Sequence, residues 1–410
     1  MKKSLYIKNA LIPDYSQRTW TRSDILVRGG VIESISDKSV SAESNVAVED
    51  LKGKTLIPSF VDLRTHINLP PFIRNGDFNS LASAAFAGGY STVLACPLAP
   101  IPVSSAEQVR IIKELSRRYD LEVLPVVSLS DNDGRPSDIV GAITEGAMAV
   151  CAENENDPYL IEEAMKIASE KNVLFICHAS DSNPLPKESG YDAYRKGIIS
   201  SLSEDLSTAQ VISLAERTGC RLHITGVSSA FSVSQIRRAK KGGLNITCDT
   251  YPQYFSLTAS DVIFYGNSVK LSHPLRKRSD LIAIKEGIAD GTIDAIATDH
   301  TPIADNEKKR PFDEAPVGML GLQTAFSIGL SELVKPGTID LIRLSELMSL
   351  NPAGILGRKI DIKVGSPFSM TVCDIDSDYI LNEDMLGEKH NVRNTPWLGQ
   401  NLSGRIVKTY

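Results

Sequence analysis

Two residues of the chain, Arg64 and His66, lie at alternate positions of a segment that could carry metal chemistry. The segment, DLRTH at 62–66, continues the apolar run TLIPSFVDL at 55–63, which is typical of a buried strand. Alternate residues of a strand point to the same face, so the two side chains project together. Two imidazoles there could bind a divalent metal that polarises a carbonyl group and lowers the pKa of bound water. An arginine cannot do this, because its guanidinium stays protonated, offers no lone pair and repels a cation.

The elements that position these residues repeat along the chain. Amphipathic segments at 104–119, 157–171, 205–218 and 231–242 predict helices between short apolar runs, and this alternation is typical of parallel βαβ units. Eight such runs between residues 55 and 300 predict an α/β fold, a closed (β/α)8 TIM barrel. The runs are TLIPSFVDL, YSTVLACP, LEVLPVVSL, GAMAVCA, NVLFICHA, CRLHITGV, LNITCDT and IDAIATDH.

Residues of chemical interest end or follow these runs. In a TIM barrel the C-terminal ends of the strands meet at one face, where active sites lie. The sequence therefore predicts a site at this face, the barrel mouth, near Arg64, His66, His178, Gly226, Asp249 and Asp299.

The two ends of the chain have a different pattern. Residues 1–52 contain the alternating runs LYIKNALI and DILVRGGVIESIS with a Gly29-Gly30 turn, and the segment at 360–374 is similar. We predict a small β-sandwich domain formed by both termini. Residues 1–54 and 357–410 would belong to that domain, and residues 55–356 to the barrel.

The composition bounds the class of protein. Of 410 residues, 42% are hydrophobic and 23% charged, as in ordinary soluble domains. A net charge of -6 without a basic cluster argues against nucleic acid or an anionic membrane as partner. We find no run typical of a transmembrane span or a signal peptide and expect a cytoplasmic protein. The cysteines lie mostly inside apolar runs and form no CxxC motif, which predicts reduced, buried thiols.

Longer motifs occur over nearly the whole chain. They are IPSFVDLRTHI, STVLACPLAP, HITGVSS, DGTIDAIATDHTPIADNEKKRPFDEAPVGMLGLQTA, SLNPAGILG, IKVGSPFSMTVCD and NTPWLGQNLSGRI. Together they resemble the dihydroorotase branch of the amidohydrolase superfamily, especially its long type I form. In active members a zinc site opens a cyclic amide, or closes carbamoyl aspartate into dihydroorotate, and the aspartate after the eighth strand shuttles the proton.

The resemblance implies a metal site that this chain keeps only in part. His66, His178 and Asp299 match the family pattern, so they are the expected ligands if any metal binds, and Asp299 is interpreted as a vestigial catalytic base. The remaining positions depart from it. The first histidine of the strand-1 pair is Arg64, the histidine after the sixth strand is Gly226, and the cysteine after His178 is Ala179. The fourth run contains no lysine, and Glu153 is its nearby carboxylate.

The positions that the resemblance assigns to substrate are altered as well. Asn68 stands where the family has an arginine for the substrate carboxylate, which removes a bidentate contact. Leu98 replaces an asparagine, and Ile303 replaces the last histidine of the Asp-His-Ala-Pro-His motif. We expect no bound cofactor and no dihydroorotase turnover, because the means of activating water and of holding a dianionic substrate are both reduced.

Three functions fit these observations. The first is a dihydroorotase-like protein of pyrimidine biosynthesis that is a non-catalytic pseudoenzyme. The resemblance implies a structural partnership with aspartate transcarbamoylase, since type I members often assemble with that enzyme and inactive homologues survive as its partners. The second is an active cyclic-amide hydrolase with a single zinc ion on His66, His178 and Asp299. The third is a binding protein whose mouth holds a small ligand. We also expect a homo-oligomer.

Several polar residues have simpler interpretations. His223 is predicted to be a hydrogen-bonded core histidine. His273 and Arg276 belong to a predicted loop over the mouth, where exposed basic residues are usually solvated, and the charged run at 308–310 is interpreted as a solvated face.

Arg64 and Asp299 are predicted to form a salt bridge. They follow the first and eighth strands, which are neighbours in a closed barrel. A partly buried carboxylate without a metal needs another cation, and a guanidinium supplies one. We expect a nitrogen to oxygen distance of about 3 Å.

Overall fold

The computed structural model describes residues 4–37, 46–67, 76–96, 102–153, 157–179, 191, 200–388 and 391–410. Within these residues the chain forms two sheets. The strands in chain order are β1 (Leu5–Asp14), β2 (Thr19–Arg28), β3 (Val31–Ser36), β4 (Ala47–Asp50), β5 (Thr55–Pro58), β6 (Phe60–His66), β7 (Tyr90–Cys96), β8 (Glu122–Ser128), β9 (Ala149–Glu153), β10 (Leu174–His178), β11 (Leu222–Thr225), β12 (Ile246–Thr250), β13 (Ala295–Ile296), β14 (Met370–Ile380) and β15 (Asn401–Thr409).

Helices connect most of the strands from β6 onward. Short polar residues begin several of them: the side chains of Ser105, Asp157 and Ser229 each accept an N–H group that the first turn leaves without a helical partner. The described α-helices are α1 (Phe78–Ala87), α2 (Ala106–Ser116), α3 (Ile139–Glu145), α4 (Pro158–Glu170), α5 (Leu202–Thr218), α6 (Ala230–Lys241), α7 (Pro252–Ser256), α8 (Val262–Tyr265), α9 (Arg278–Ala289), α10 (Asp305–Lys308), α11 (Ala325–Gly329), α12 (Leu341–Ser345) and α13 (Asn351–Ile355). Wider π-helical turns continue α11 over Leu330–Val334 and join α12 to α13 over Glu346–Leu350. Three 3-10 turns cover Ala259–Asp261, Gly266–Val269 and Glu383–Leu386.

Eight parallel strands, β6 to β13, lie side by side in chain order. The sheet closes beyond β13, where Thr65 forms a parallel bridge with His300 and the N–H of His66 donates to the carbonyl oxygen of His300 at 2.8 Å. Each of the eight predicted runs contributes a strand, so the predicted (β/α)8 barrel is confirmed. Alternate strand residues face two apolar layers, one packed against the helices around Phe60 and Val93, the other inside the barrel around Leu94 and Ile176.

The second sheet has seven strands and is built from both termini. Its order is β15-β14-β5-β1-β2-β3, with β4 paired to β1, and this confirms the predicted small β-sandwich domain. It has its own apolar core, which includes Ile7, Ile25 and Val372. The predicted turn between β2 and β3 is present, and both Gly29 and Gly30 have positive φ angles (60° and 82°), as a tight hairpin requires.

The apolar run at 55–63 differs from its prediction as a single strand. The extended segment is divided at Ser59 into two strands. The first, β5, pairs with β14 in the terminal sheet, whereas the second, β6, begins the barrel. The N–H of Ser59 still donates to the carbonyl oxygen of Ser369 at 3.1 Å, whereas the N–H of Phe60 donates to Gly89 at 2.9 Å, so the partner changes between these two residues. The strand β6 extends to His66, so Arg64 lies inside the strand and His66 closes it.

No helix among the described residues is long and apolar enough to cross a membrane.

Candidate active site

Three strand-end side chains face the barrel interior because of strand alternation. Leu94, Cys151 and Ile176 belong to the interior apolar cluster, so the residues two positions further along each strand point the same way. These residues are Cys96, Glu153 and His178, at the C-terminal ends of β7, β9 and β10.

The centre of the mouth is a buried ion cluster around Arg64. Its Nε donates to Oδ1 of Asp299 at 2.7 Å, and its Nη2 donates to Oε1 of Glu153 at 2.5 Å. The predicted salt bridge with Asp299 is therefore confirmed, and Glu153 is a second partner that the sequence did not assign. The other Glu153 oxygen, Oε2, accepts from the thiol of Cys96 at 3.2 Å. The arginine and both carboxylates are less than 6% exposed, so one guanidinium joins two buried carboxylates.

His66 also contacts Asp299. Its Nε2 lies 3.4 Å from Oδ1, the oxygen that accepts the hydrogen bond from Arg64. Burial opposes charge on the imidazole, but the neighbouring Cys96 and Asp299 outweigh it and raise the pKa of His66 to about 10. Burial likewise opposes ionisation of Asp299, but Arg64 and His66 hold the pKa of this carboxyl below its ordinary value. At neutral pH the two groups are therefore an imidazolium and a carboxylate.

The backbone at the end of the eighth strand is fixed by Asp62. This fully buried carboxylate accepts the N–H of Thr298 at 2.8 Å and its hydroxyl at 2.7 Å. Burial raises the pKa of Asp62 to about 6. The next residue, Asp299, has a φ angle of +52°, which is uncommon outside glycine and is held here by the surrounding contacts. Asp62 thus fixes the backbone next to Asp299, whose carboxylate accepts the hydrogen bond from Arg64.

A pair of stacked histidines forms the other side of the mouth. The rings of His178 and His273 are 4.1 Å apart with an interplanar angle of 14°. The Nδ1 of His273 lies 3.0 Å from the carbonyl oxygen of Gly226 and must carry a proton, because a carbonyl only accepts. Burial, followed by the charges of His273 and Arg64, lowers the pKa of His178 well below its ordinary value. His178 is therefore neutral.

Two basic residues interpreted as solvated are buried instead. Arg276 is 6% exposed, donates from Nη2 to Oε2 of Glu204 at 3.0 Å and binds the hydroxyl of Ser228 through Nε. Lys308 is 8% exposed, and its ammonium donates to the carbonyl oxygens of Asn267 and Pro316, both at 2.9 Å. The interpretation was wrong for both because their partners come from segments distant in the chain.

The other members of the charged run, Lys309 and Arg310, are exposed as predicted. His223 is a core histidine, also as predicted, with nitrogens 2.9 Å from Thr247 Oγ1 and from Asp249 Oδ2.

Two further predicted positions, Ala179 and Ile303, are not part of the ion cluster. Ala179 is buried directly after β10, and Ile303 is buried with its N–H donating to Oδ1 of Asn394 at 3.0 Å. Asn68 and Leu98 lie outside the described residues.

The donor set does not fit a zinc ion. Arg64 brings a fixed cation onto Asp299 and Glu153, the two carboxylates at the centre of the mouth. His178 keeps a neutral ring, but it is stacked on His273. In the part of the chain that the structure describes, no three histidine, cysteine or acidic side chains are arranged to hold a metal ion.

Tyr251 is a mouth residue that the sequence did not reveal. It follows β12 and is fully buried, and its hydroxyl lies 3.2 Å from Oγ1 of Thr225. An aromatic residue directly after a strand, facing a strand that ends in glycine, is the signal that could have indicated it.

Comparison with known families agrees with this architecture. The profile of the amidohydrolase family matches residues 55–410. The chain is 34% identical over 416 residues to the dihydroorotase of Thermoanaerobacter sp. (strain X514), covering 98% of this chain and 94% of that protein. It is also 34% identical over 419 residues to the dihydroorotase of Syntrophus aciditrophicus (strain SB), with 99% and 97% covered.

Solved structures with the same fold are more distant in sequence. L-hydantoinase (dihydropyrimidinase) from Arthrobacter aurescens superposes with a TM-score of 0.84 at 23% identity, over 100% of this chain and 94% of that one. Dihydropyrimidinase from Brevibacillus agri NCHU1002 gives a TM-score of 0.82 at 20% identity, over 99% and 93%. At these identities the likeness supports the barrel and terminal sheet alone.

Proposed function

The chain belongs to the amidohydrolase family, and from that premise we propose that it is a non-catalytic dihydroorotase-like protein of pyrimidine biosynthesis, a structural partner of aspartate transcarbamoylase. The observation that carries the non-catalytic part is the position of Arg64. Its guanidinium lies between Glu153 and Asp299, within hydrogen-bond distance of both.

This geometry removes the base that amide hydrolysis would use. A general base must be free to accept a proton and works best with a pKa near the working pH. Asp299 instead accepts from Arg64, and the cations beside it hold its pKa below the ordinary value. Protonating it would leave Arg64 with one less counter-charge inside a buried cluster, which is unfavourable.

The scaffold is retained although the site is altered, and this supports a role for the folded protein itself. The barrel has two continuous apolar layers, and the similarity to dihydroorotases covers 98% of the chain. The relatives are named dihydroorotases. We infer the partner from the resemblance of this chain to type I dihydroorotases, which assemble with aspartate transcarbamoylase.

Turnover by the purified protein tests the non-catalytic part. The protein would be prepared without added metal and assayed for dihydroorotase activity in both directions, beside an Asp299→Ala preparation made identically. We expect no difference between the two, since any residual turnover would then come from contaminants. Turnover that is present in the natural protein and absent in Asp299→Ala would contradict the proposal.

Co-purification with the transcarbamoylase of the same organism tests the partnership. We expect co-elution and a mass by light scattering that includes both chains. Omitting this chain should weaken transcarbamoylase assembly or activity, whereas Asp299→Asn should not disturb the complex. A transcarbamoylase that is assembled and fully active alone, with no binding at micromolar concentration, would contradict it.

A further inference from the structure

Gly226 directly follows the sixth barrel strand, in a position that only glycine can occupy here. Its φ angle is +75°, and a Cβ atom added to it would lie 2.6 Å from the hydroxyl oxygen of Tyr251, 2.8 Å from Cζ and 2.9 Å from Cε2. Such distances are well inside van der Waals contact, so a side chain at this position and Tyr251 exclude one another. Residue 226 follows β11 at the mouth, beside the stacked pair of His178 and His273.

Tyr251 is not a flexible neighbour that could move aside. Its ring is fully buried and stacks on Tyr254 with centroids 5.4 Å apart, while the Tyr254 hydroxyl donates to the carbonyl oxygen of His273 at 3.0 Å. The Tyr251 hydroxyl also lies 3.2 Å from Oγ1 of Thr225. Burial raises the pKa of Tyr251 well above its ordinary value, so the group is neutral. Contacts with Tyr254 and Thr225 therefore hold the ring over Gly226.

We propose that Tyr251 excludes a metal-binding side chain from position 226, so that a metal site can form in this barrel only when positions 64, 226 and 251 change together. The inference rests on the proposed non-catalytic function. Metal binding is then prevented in two ways. The guanidinium of Arg64 pairs with the carboxylate of Asp299, which is an electrostatic obstacle. Tyr251 fills the space that a metal-binding side chain after β11 would need, which is a steric obstacle.

The two obstacles act on different strands, which makes them separable. Replacing Arg64 by histidine frees Asp299 and supplies a nitrogen donor on β6, but it leaves Tyr251 in place. Adding a histidine at position 226 forces its side chain into the Tyr251 ring and leaves a non-glycine residue with a positive φ angle. Removing the ring relieves the first of these problems, so a third donor can then be accommodated.

Zinc retention by three variants tests the proposal directly. They are Arg64→His, Arg64→His with Gly226→His, and the same double variant with Tyr251→Ala. Each would be loaded with zinc, passed through gel filtration with a mild chelator and analysed for bound zinc and for a zinc-dependent rise in denaturation temperature. We expect stoichiometric zinc and a rise only in the triple variant.

Two outcomes of this experiment would overturn the inference. One is zinc retained equally by the double and triple variants, and the other is a folded triple variant that retains none. Neither touches the proposed function, which fails instead if the natural protein itself shows dihydroorotase turnover.

A cycle of stability measurements tests the steric exclusion without any metal. Gly226→Ala, Tyr251→Ala and their combination would be compared by thermal denaturation, with Gly219→Ala as the matched control. Gly219 also has a positive φ angle (+65°) but nothing within 4 Å of an added Cβ, so it reports backbone strain alone. We expect Gly226→Ala to lower the denaturation temperature more than Gly219→Ala, and the excess to disappear in the Tyr251→Ala background. Equal decreases at the two glycines would overturn the exclusion.

Discussion

Two buried acidic clusters in the same barrel are stabilised in different ways. At the mouth, Asp299 and Glu153 are paired with the guanidinium of Arg64. Deeper, between β11 and β12, Asp249 has no arginine or lysine partner among the residues that the structure describes. It is held by short-range donors instead.

The donors to Asp249 come from neighbouring residues of the sixth and seventh strands. The N–H of Gly226 lies 2.7 Å from Oδ1, the hydroxyl of Thr225 lies 2.9 Å from Oδ2, and Nε2 of His223 lies 2.9 Å from Oδ2. Hydrogen bonds of this kind satisfy one buried carboxylate without an arginine or a lysine. Two carboxylates at the mouth cannot be satisfied so locally, and a cation must stand between them. At the mouth one guanidinium joins the two carboxylates, whereas the support of Asp249 is distributed over several hydrogen bonds.

Removing the mouth cation should have the largest effect. Arg64→Met should lower the free energy of unfolding by about 3 kcal/mol, because it removes the guanidinium from two buried carboxylates and leaves His66 beside Asp299 and the Cys96 thiol beside Glu153. Adding Asp299→Asn should recover part of the loss, and adding Glu153→Gln as well should recover most of it. Urea unfolding measures all three variants.

The control for this series is an exposed ion pair. Arg18 contacts Asp340 at 2.8 Å, but the side chains are 46% and 56% exposed, so Arg18→Met should cost less than about 1 kcal/mol. If the single and triple mouth variants lose the same free energy, the neutralising role of Arg64 is wrong.

A smaller loss should follow from disturbing the inner cluster. Asp249→Asn keeps the shape of the side chain but turns an amide nitrogen toward groups that donate, which should cost about 2 kcal/mol. The difference from the mouth is that a second change at Arg64 should add to this loss and not relieve it. Strong coupling between the two clusters would show that they are one network.

A pH dependence distinguishes the clusters further. The folded pKa of His66, about 10, exceeds its ordinary value of 6.5, so its stabilisation is complete below about pH 6.5 and is lost as the pH rises toward about 10. Between about pH 6 and about pH 9, the unfolding free energy of the natural protein should therefore fall more than that of His66→Gln. Equal changes in the two proteins would show that His66 is not paired as an imidazolium.

We expect the smallest effect on stability from replacing Lys309, an exposed lysine next to the buried Lys308. Lys309→Ala should change stability by less than about 0.5 kcal/mol, because the side chain is solvated. Lys308→Ala should cost clearly more, since its ammonium binds two carbonyl oxygens in the interior. Indistinguishable stabilities of the two variants would contradict the burial of Lys308.

The barrel could be predicted from sequence because parallel strands buried on both faces appear as apolar runs, from TLIPSFVDL to IDAIATDH. The break at Ser59 could not, since it depends on pairing with β14, far along the chain. The Arg64–Asp299 contact followed from the adjacency of the first and eighth strands in a closed barrel. Its second partner, Glu153, did not, because the reach of a guanidinium across the mouth depends on the barrel's dimensions.

Packing between distant segments accounts for the other residues that sequence reasoning missed. Tyr251 matters only because β11 ends in a glycine opposite it. The burial of Arg276 depends on Glu204 in α5, and that of Lys308 depends on carbonyl groups of two loops. None of these partners is signalled by spacing along the chain.

Anomalous diffraction at the zinc edge, from crystals soaked in zinc, tests the central claim most directly. We expect no anomalous peak at the mouth, with the guanidinium of Arg64 in density between Glu153 and Asp299. A peak between His66 and Asp299, with the Arg64 side chain turned away, would contradict it.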